Sequence, residues 1–288
     1  MRNVLPLMLL LATLVERQAP RLSARWTGEA PVPPRAPAAF AGEYADVNGL
    51  HLYYEVHGKP TAKPPLVLLH GGGSTIETSF APVIEQFAKH RQVIAFDQQG
   101  HGRTADILDR PFSFEQSADD TAALLAHLGI KQADFLGYSN GGTIALQIAI
   151  RHPKLVHKLV IMSANYRRDG MVAGFWDGMQ HASLDSMPAE LKETYKRLAP
   201  HPEQLQSFHD KSVKRMLDFK DIPDDALKAI QAPALVMIGD NDVIRPEHAI
   251  GLYRLLPHAQ LAIMPGADHM KMVEWRAPQV AIVEAFYG

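Results

Sequence analysis

A chain of 288 residues with 47% hydrophobic and 21% charged side chains has enough apolar surface for one large core, or for a core carrying an inserted subdomain. A net charge of −2, without a long basic run interleaved with aromatics, argues against nucleic acid as a partner. The absence of cysteine removes disulfides, thiolate nucleophiles and cysteine-ligated zinc.

Residues 1–19 read as a signal or anchor segment. After Arg2 an apolar stretch runs from residue 4 to 15, broken by Pro6 and Thr13, and is shorter than the ~20 residues a spanning helix needs. The expected location is periplasmic or secreted. Glu16, Arg17 and Gln18 stand where a small-residue cleavage site belongs, so an uncleaved anchor giving peripheral membrane association is the competing expectation. Residues 20–43, rich in Pro, Ala and Arg, read as a tether, with Pro31, Pro33, Pro34 and Pro37 blocking helix and ladder formation.

The fold is expected to begin near Tyr44, with two β-like runs around Asn48-Gly49, the strongest short hairpin signal. Leu66-Val67-Leu68-Leu69 is a continuous apolar run of the kind buried on both faces of a parallel sheet, and it ends at His70-Gly71-Gly72-Gly73. A helix capped by Ser74 or Thr75 is expected through about Ala88, then a strand over 92–96 terminated by Asp97. Helical spacing returns over 117–128 and stops at Gly129. A strand over 133–136 then runs through Gly137-Tyr138-Ser139-Asn140-Gly141-Gly142 into a helix that ends near Arg151, before Pro153. Another strand is expected around 159–162. From 165 to 230 the alternation gives way to helical segments punctuated by Pro188, Pro200 and Pro202, which read as an inserted cap. Strands over 234–238 and 260–264 and helices over 246–256 and up to about Tyr287 resume the rhythm. Alternating strands and helices at this spacing imply an α/β fold: a mostly parallel central sheet with helices on both faces, assembled from residues 44–164 and 231–288, with a helical cap over 165–230.

Four segments that carry chemistry fall after the carboxyl ends of strands, where open α/β sheets place their sites. They are His70-Gly71-Gly72-Gly73, the Ser139 turn, Gly239-Asp240-Asn241-Asp242 and Gly266-Ala267-Asp268-His269. Glycines two before and two after Ser139 relieve the crowding of a strained strand-to-helix elbow. With these motifs in the order Ser, Asp, His, residues 44–288 resemble the α/β-hydrolase superfamily, in particular its capped serine esterases and lipase-like members. The resemblance implies Ser139 as nucleophile, His269 as base, and Asp242 as the acid that orients the histidine, with Asp240 as a rival better suited to the turn. It also implies an oxyanion hole built from the N–H groups of Asn140 and Gly72, with Gly73 as the less favoured donor.

Phe96-Asp97-Gln98-Gln99-Gly100-His101-Gly102-Arg103-Thr104 resembles the family's structural loop, with Gln99 in place of an arginine and Thr104 in place of a serine; His101 reads as a loop residue. Tyr138, Phe175, Trp176 and Met179 are the expected substrate contacts, implying an apolar acyl or aromatic portion. No cofactor is implied, and no H-E-x-x-H or comparable pair points to a metal. The expected activity is hydrolysis of a small ester or lactone through an acyl-enzyme. Acyl transfer, carbon–carbon bond hydrolysis, cofactor-free haloperoxidation and a low-turnover ligand receptor are the alternatives compatible with the same triad.

Overall fold

A computed structural model describes residues 42–288; the signal and tether readings, apart from the last two residues of the tether, lie outside the described residues. The fold starts at Glu43, in the first strand of a hairpin: β1 (Glu43–Val47) and β2 (Leu50–His57) are joined by Asn48 and Gly49, whose φ values of 48° and 80° give the positive-φ pair that a tight hairpin of matching twist needs. The chain then lays down β3 (Leu66–Leu69), α1 (Ile76–Phe80), α2 (Ile84–Ala88), β4 (Val93–Phe96), α3 (Phe114–His127), β5 (Ala133–Tyr138), α4 (Asn140–Arg151) and β6 (Val156–Met162). Thr75 caps α1 with Thr78 in a reciprocal capping box. The single helix expected here is two, because Pro82 offers no N–H and its ring collides with the preceding turn.

After β6 come four cap helices, α5 (Phe175–Gln180), α6 (Ala189–Leu198), α7 (Leu205–Leu217) and α8 (Asp224–Lys228). The sheet resumes with β7 (Ala234–Gly239), α9 (Pro246–Leu255), β8 (Ala259–Met264) and α10 (Ala277–Tyr287). The eight strands lie in the order β1-β2-β4-β3-β5-β6-β7-β8, with β2 antiparallel to its neighbours and the remaining pairs parallel.

Period-two alternation sends each strand's side chains to opposite cores. Val67, Leu69, Phe135, Leu159, Ile161, Val236 and Ile238 join one cluster with α3, α4, α9 and the base of the cap. Leu66, Leu68, Leu136, Val160, Met162, Leu235 and Met237 join the other, beneath α1, α2 and α10. The cap adds a small core of its own, in which Tyr195, Leu205 and Phe208 pack on Phe112 of the loop before α3. Lys211 ties it down further, its Nζ donating to Asp106 Oδ2 at 2.6 Å and to the carbonyls of Ile107 and Arg110.

The closest backbone approach in the sheet lies where β3, β5 and α4 meet. A Cβ on Gly141 would stand 2.0 Å from the Leu69 carbonyl oxygen, and one on Gly137 would stand 2.2 Å from the Gly141 oxygen. Gly141→Ala therefore must push α4 away from the end of β3. Its expected cost is at least about 2 kcal/mol of unfolding free energy. Urea titration against the wild type checks this; an unchanged midpoint would show that the helix can move without penalty.

Candidate active site

Ser139 sits at the turn between β5 and α4 with φ 54° and ψ −121°, a conformation that side-chain-bearing residues rarely adopt. The two glycine contacts given above hold it there, since either neighbouring backbone would be displaced by a methyl group. The Ser139 hydroxyl is met by His269, whose Nε2 is 3.0 Å from Oγ. His269 follows β8, and its Nδ1 is 2.8 Å from Asp242 Oδ1 in the loop after β7. With Nδ1 donating to the carboxylate, Nε2 is left as the acceptor facing the serine. Burial pulls the imidazole down, but the charge of Asp242, its hydrogen bond and the charge of Asp268 more than compensate, so His269 lies above the ordinary histidine value.

Of the two aspartates in this loop, Asp242 is the one on His269. Asp240 Oδ1 accepts from Gly266 N at 2.8 Å and from the Asn241 side chain, so it holds the turns together. Asp242 is buried and its oxygens are engaged: Oδ1 also accepts from Ile244 N at 3.1 Å, and Oδ2 from Ser163 Oγ at 2.6 Å. Ser163 follows β6 directly, with φ 52°, a second positive φ beside the site. The sequence reading missed it; its one signal was its place after a strand's carboxyl end.

The glycine loop is held by His70. Its Nδ1 donates to the Gly71 carbonyl at 2.9 Å and its Nε2 accepts from Gln98 N at 3.0 Å, while Gln98 Nε2 donates to the His70 carbonyl at 2.8 Å. Burial, aided by nearby Arg215 and opposed by the Gly71 bond, pushes this imidazole down to about 4, so it remains neutral near pH 7. Gly72 packs against the start of α4: a Cβ there would stand 2.3 Å from Asn140 Nδ2. Among the described residues neither the Gly72 N–H nor the Asn140 N–H meets a protein acceptor, and the latter opens the positive end of α4.

A family model described as alpha/beta hydrolase fold matches residues 64–203. The serine hydrolase BPHL of Homo sapiens is 31% identical over 257 residues, spanning 83% of this chain and 85% of that protein. The chain belongs to the α/β-hydrolase family. RutD of Caulobacter sp. (strain K31), whose name assigns it provisionally to carbamate hydrolysis, is 30% identical over 239 residues, covering 76% of this chain and 88% of its own. A meta-cleavage product hydrolase from Pseudomonas fluorescens IP01 shares the fold, with a TM-score of 0.71 at 22% identity over 85% of this chain and 97% of that one. Fold and relatives together make this α/β-hydrolase a hydrolase.

In the family's structural loop, Asp97 Oδ1 accepts from Ile76 N and Oδ2 from Arg103 N, while Thr104 Oγ1 donates to the Asp97 carbonyl and accepts from Tyr53 N. Gln99, in the arginine's place, donates to Asp106 Oδ1 and the Arg110 carbonyl and accepts from Arg110 Nε. Arg110, six residues beyond Thr104, thus supplies a guanidinium to Gln99.

The four expected substrate contacts lie in two different parts of the molecule. Tyr138 is buried on the opposite core, and its hydroxyl donates to the His269 carbonyl at 2.9 Å, which supports the histidine loop. Phe175, Trp176 and Met179 pack in or against the main core; Trp176 lies under the Arg168 guanidinium, 3.8 Å from its ring centroid, and donates Nε1 to the Arg168 carbonyl. The cap side chains beside the glycine loop are instead Leu191 and Met187, 3.4 and 3.8 Å from where a Gly73 Cβ would stand, and Arg215 beside Gly72.

A base acts only when neutral, so a raised His269 gives reactivity that falls as pH drops, with its midpoint above about 6.5. The rate at which an organophosphonate labels Ser139 measures this without reference to any substrate. Ser163→Ala should slow labelling roughly 10-fold, the order of one lost hydrogen bond to a charged group, and move the acid midpoint upward, because Asp242 then gives more of its charge to the imidazolium. A slower reaction with an unmoved midpoint would mean that Ser163 acts only on folding.

Proposed function

We propose that this α/β-hydrolase cleaves a small carboxylic ester or lactone through an acyl-enzyme on Ser139. The observation that carries the reading is the unbroken path from Ser139 Oγ to His269 Nε2, at 3.0 Å, and from His269 Nδ1 to Asp242, at 2.8 Å. As Oγ bonds to the substrate carbonyl carbon, its proton passes to Nε2, and Asp242 stabilises the imidazolium that results. Charge collects on the former carbonyl oxygen, beside the free N–H groups of Asn140 and Gly72, each worth ~10²–10³ in rate if it donates there. When the intermediate collapses, the carbon–oxygen bond to the alcohol breaks and the Nε2 proton goes to the departing oxygen. Water then repeats the sequence: it loses a proton to Nε2, attacks the acyl carbon, and Ser139 leaves as the protonated alcohol.

Carbamate hydrolysis is the second reading, favoured by the similarity to RutD over 88% of that protein. The same nucleophile and base would serve, because a carbamate also presents a carbonyl with a leaving group.

A series of p-nitrophenyl esters, lactones and carbamates of graded acyl length separates the two. On the ester reading, the wild type turns over short esters and lactones, a quenched reaction shows the acyl mass on Ser139, and Ser139→Ala lowers kcat at least ~10⁴-fold. Turnover of carbamates alone would replace the ester assignment. Turnover unchanged in Ser139→Ala would remove Ser139 as nucleophile.

A further inference from the structure

Arg215, on the inward face of α7, is a buried cation without a counter-ion among the described residues. It is 4% exposed, and its Nε and Nη2 meet no hydrogen-bond partner among the described residues. Phe112 and Phe114 face the guanidinium at 5.6 and 5.3 Å from their ring centroids, which offsets only part of its desolvation. Burial alone pulls it down, to about 10, so it stays protonated at neutral pH.

The other charged or titratable groups around it supply no negative charge. His70 is neutral. His101 donates Nδ1 to the Gln99 carbonyl at 2.8 Å, leaving a buried, unpartnered Nε2; burial, then the neighbouring His70 and Arg215, hold it well below the ordinary value. The carboxylates in the surrounding loops are engaged elsewhere: Asp97 with Arg103 and Ile76, Asp106 with Lys211 and Gln99, and Asp242 with His269 and Ser163.

The cation lies beside the glycine loop. Arg215 Nη2 lies 3.4 Å from where a Gly72 Cβ would stand, and a Cβ is about 2.5 Å from its own backbone nitrogen, so Nη2 is within about 6 Å of the Gly72 N–H. A group bound by Arg215 would lie only a few bonds from a carbonyl held at that N–H.

We propose that Arg215 is the specificity-determining cation of this site, and that the substrate carries a carboxylate on its acyl portion, two to four bonds from the scissile carbonyl. The proposal rests on the reading of Ser139 as nucleophile. It narrows the substrate class from an apolar ester to a half-ester of a short dicarboxylic acid, or the corresponding lactone acid. A planar guanidinium matches a carboxylate with two parallel N–H···O bonds, and the aromatic surroundings exclude competing water.

The test compares monomethyl succinate and monomethyl glutarate with methyl butyrate and methyl valerate, followed by acid release and chromatography. Wild type, Arg215→Met, Arg215→Lys and Ser139→Ala are assayed. The wild type should favour the half-esters, and Arg215→Met should reduce the half-ester to neutral-ester ratio of kcat/KM roughly 30-fold or more, chiefly through KM. Arg215→Lys should retain part of the preference. Because Met removes an uncompensated charge, Arg215→Met should melt no lower than the wild type. A ratio unchanged in Arg215→Met, or a wild type that prefers the neutral esters, overturns the proposal.

A second measurement does not depend on turnover: succinate and glutarate should raise the melting temperature of the wild type and of Ser139→Ala, but not that of Arg215→Met. Stabilisation of this kind in a protein inert toward every ester would keep the carboxylate site and remove the esterase reading. Equal stabilisation of all three proteins would remove the carboxylate site.

Discussion

The site depends on a backbone approach that only hydrogen side chains permit. Gly141 brings α4 against the end of β3, and Gly137 brings the end of β5 against the first turn of α4. Ser139 takes its positive φ between them, and Asn140 opens the helix beside the glycine loop that continues from β3. Were the helix to sit farther out, the serine would relax, Gly72 would lose its packing against Asn140, and the histidine from β8 would have nothing to meet. One steric constraint therefore fixes the nucleophile, both candidate oxyanion donors and the distance to the base.

Around that contact the polar groups divide into two kinds. Those that hold the machinery are satisfied: Asp242 accepts from three directions, His70 uses both nitrogens, and the Tyr138 hydroxyl carries the His269 carbonyl. Satisfied buried groups are rigid because any movement breaks a bond that water cannot replace. Among the described residues Arg215 Nε and Nη2 and His101 Nε2 are without a partner, as is Gln98 Oε1; Arg215 lies beside Gly72, and the His101 ring sits between His70 and Phe208 of the cap. An unpaired buried charge beside a catalytic loop is the kind of exception that asks for an explanation, and the proposed carboxylate supplies one.

Much of the chemistry was legible in the chain. The elbow, the glycine loop after β3 and the Asp and His segments after β7 and β8 are short motifs, each tied to its own strand end. The helix break at Pro82 was also readable in principle, since proline's lost N–H is local. Where the cap side chains pack was not. Phe175, Trp176 and Met179 have the helical spacing of a cap that faces inward, yet inward for them means the main core and the Arg168 guanidinium. Tyr138, next to the nucleophile in sequence, points into the opposite core because successive residues of a strand alternate faces.

Residue type and short spacing were enough for the sheet rhythm and for the strained serine turn, because both are local; Asp240 and Asp242 share one short segment, and the choice of Asp242 and His269 came from the family resemblance. It took the folded chain to bring Ser163, just after β6, onto Asp242, to set Leu191 and Met187 beside the glycine loop, and to bury the guanidinium of Arg215 beside Gly72 with no anion among the described residues to answer it. In a helix pattern Arg215 is an ordinary polar residue. Whether a charge is solvated or stranded depends on what packs around it, and those neighbours come from distant parts of the chain.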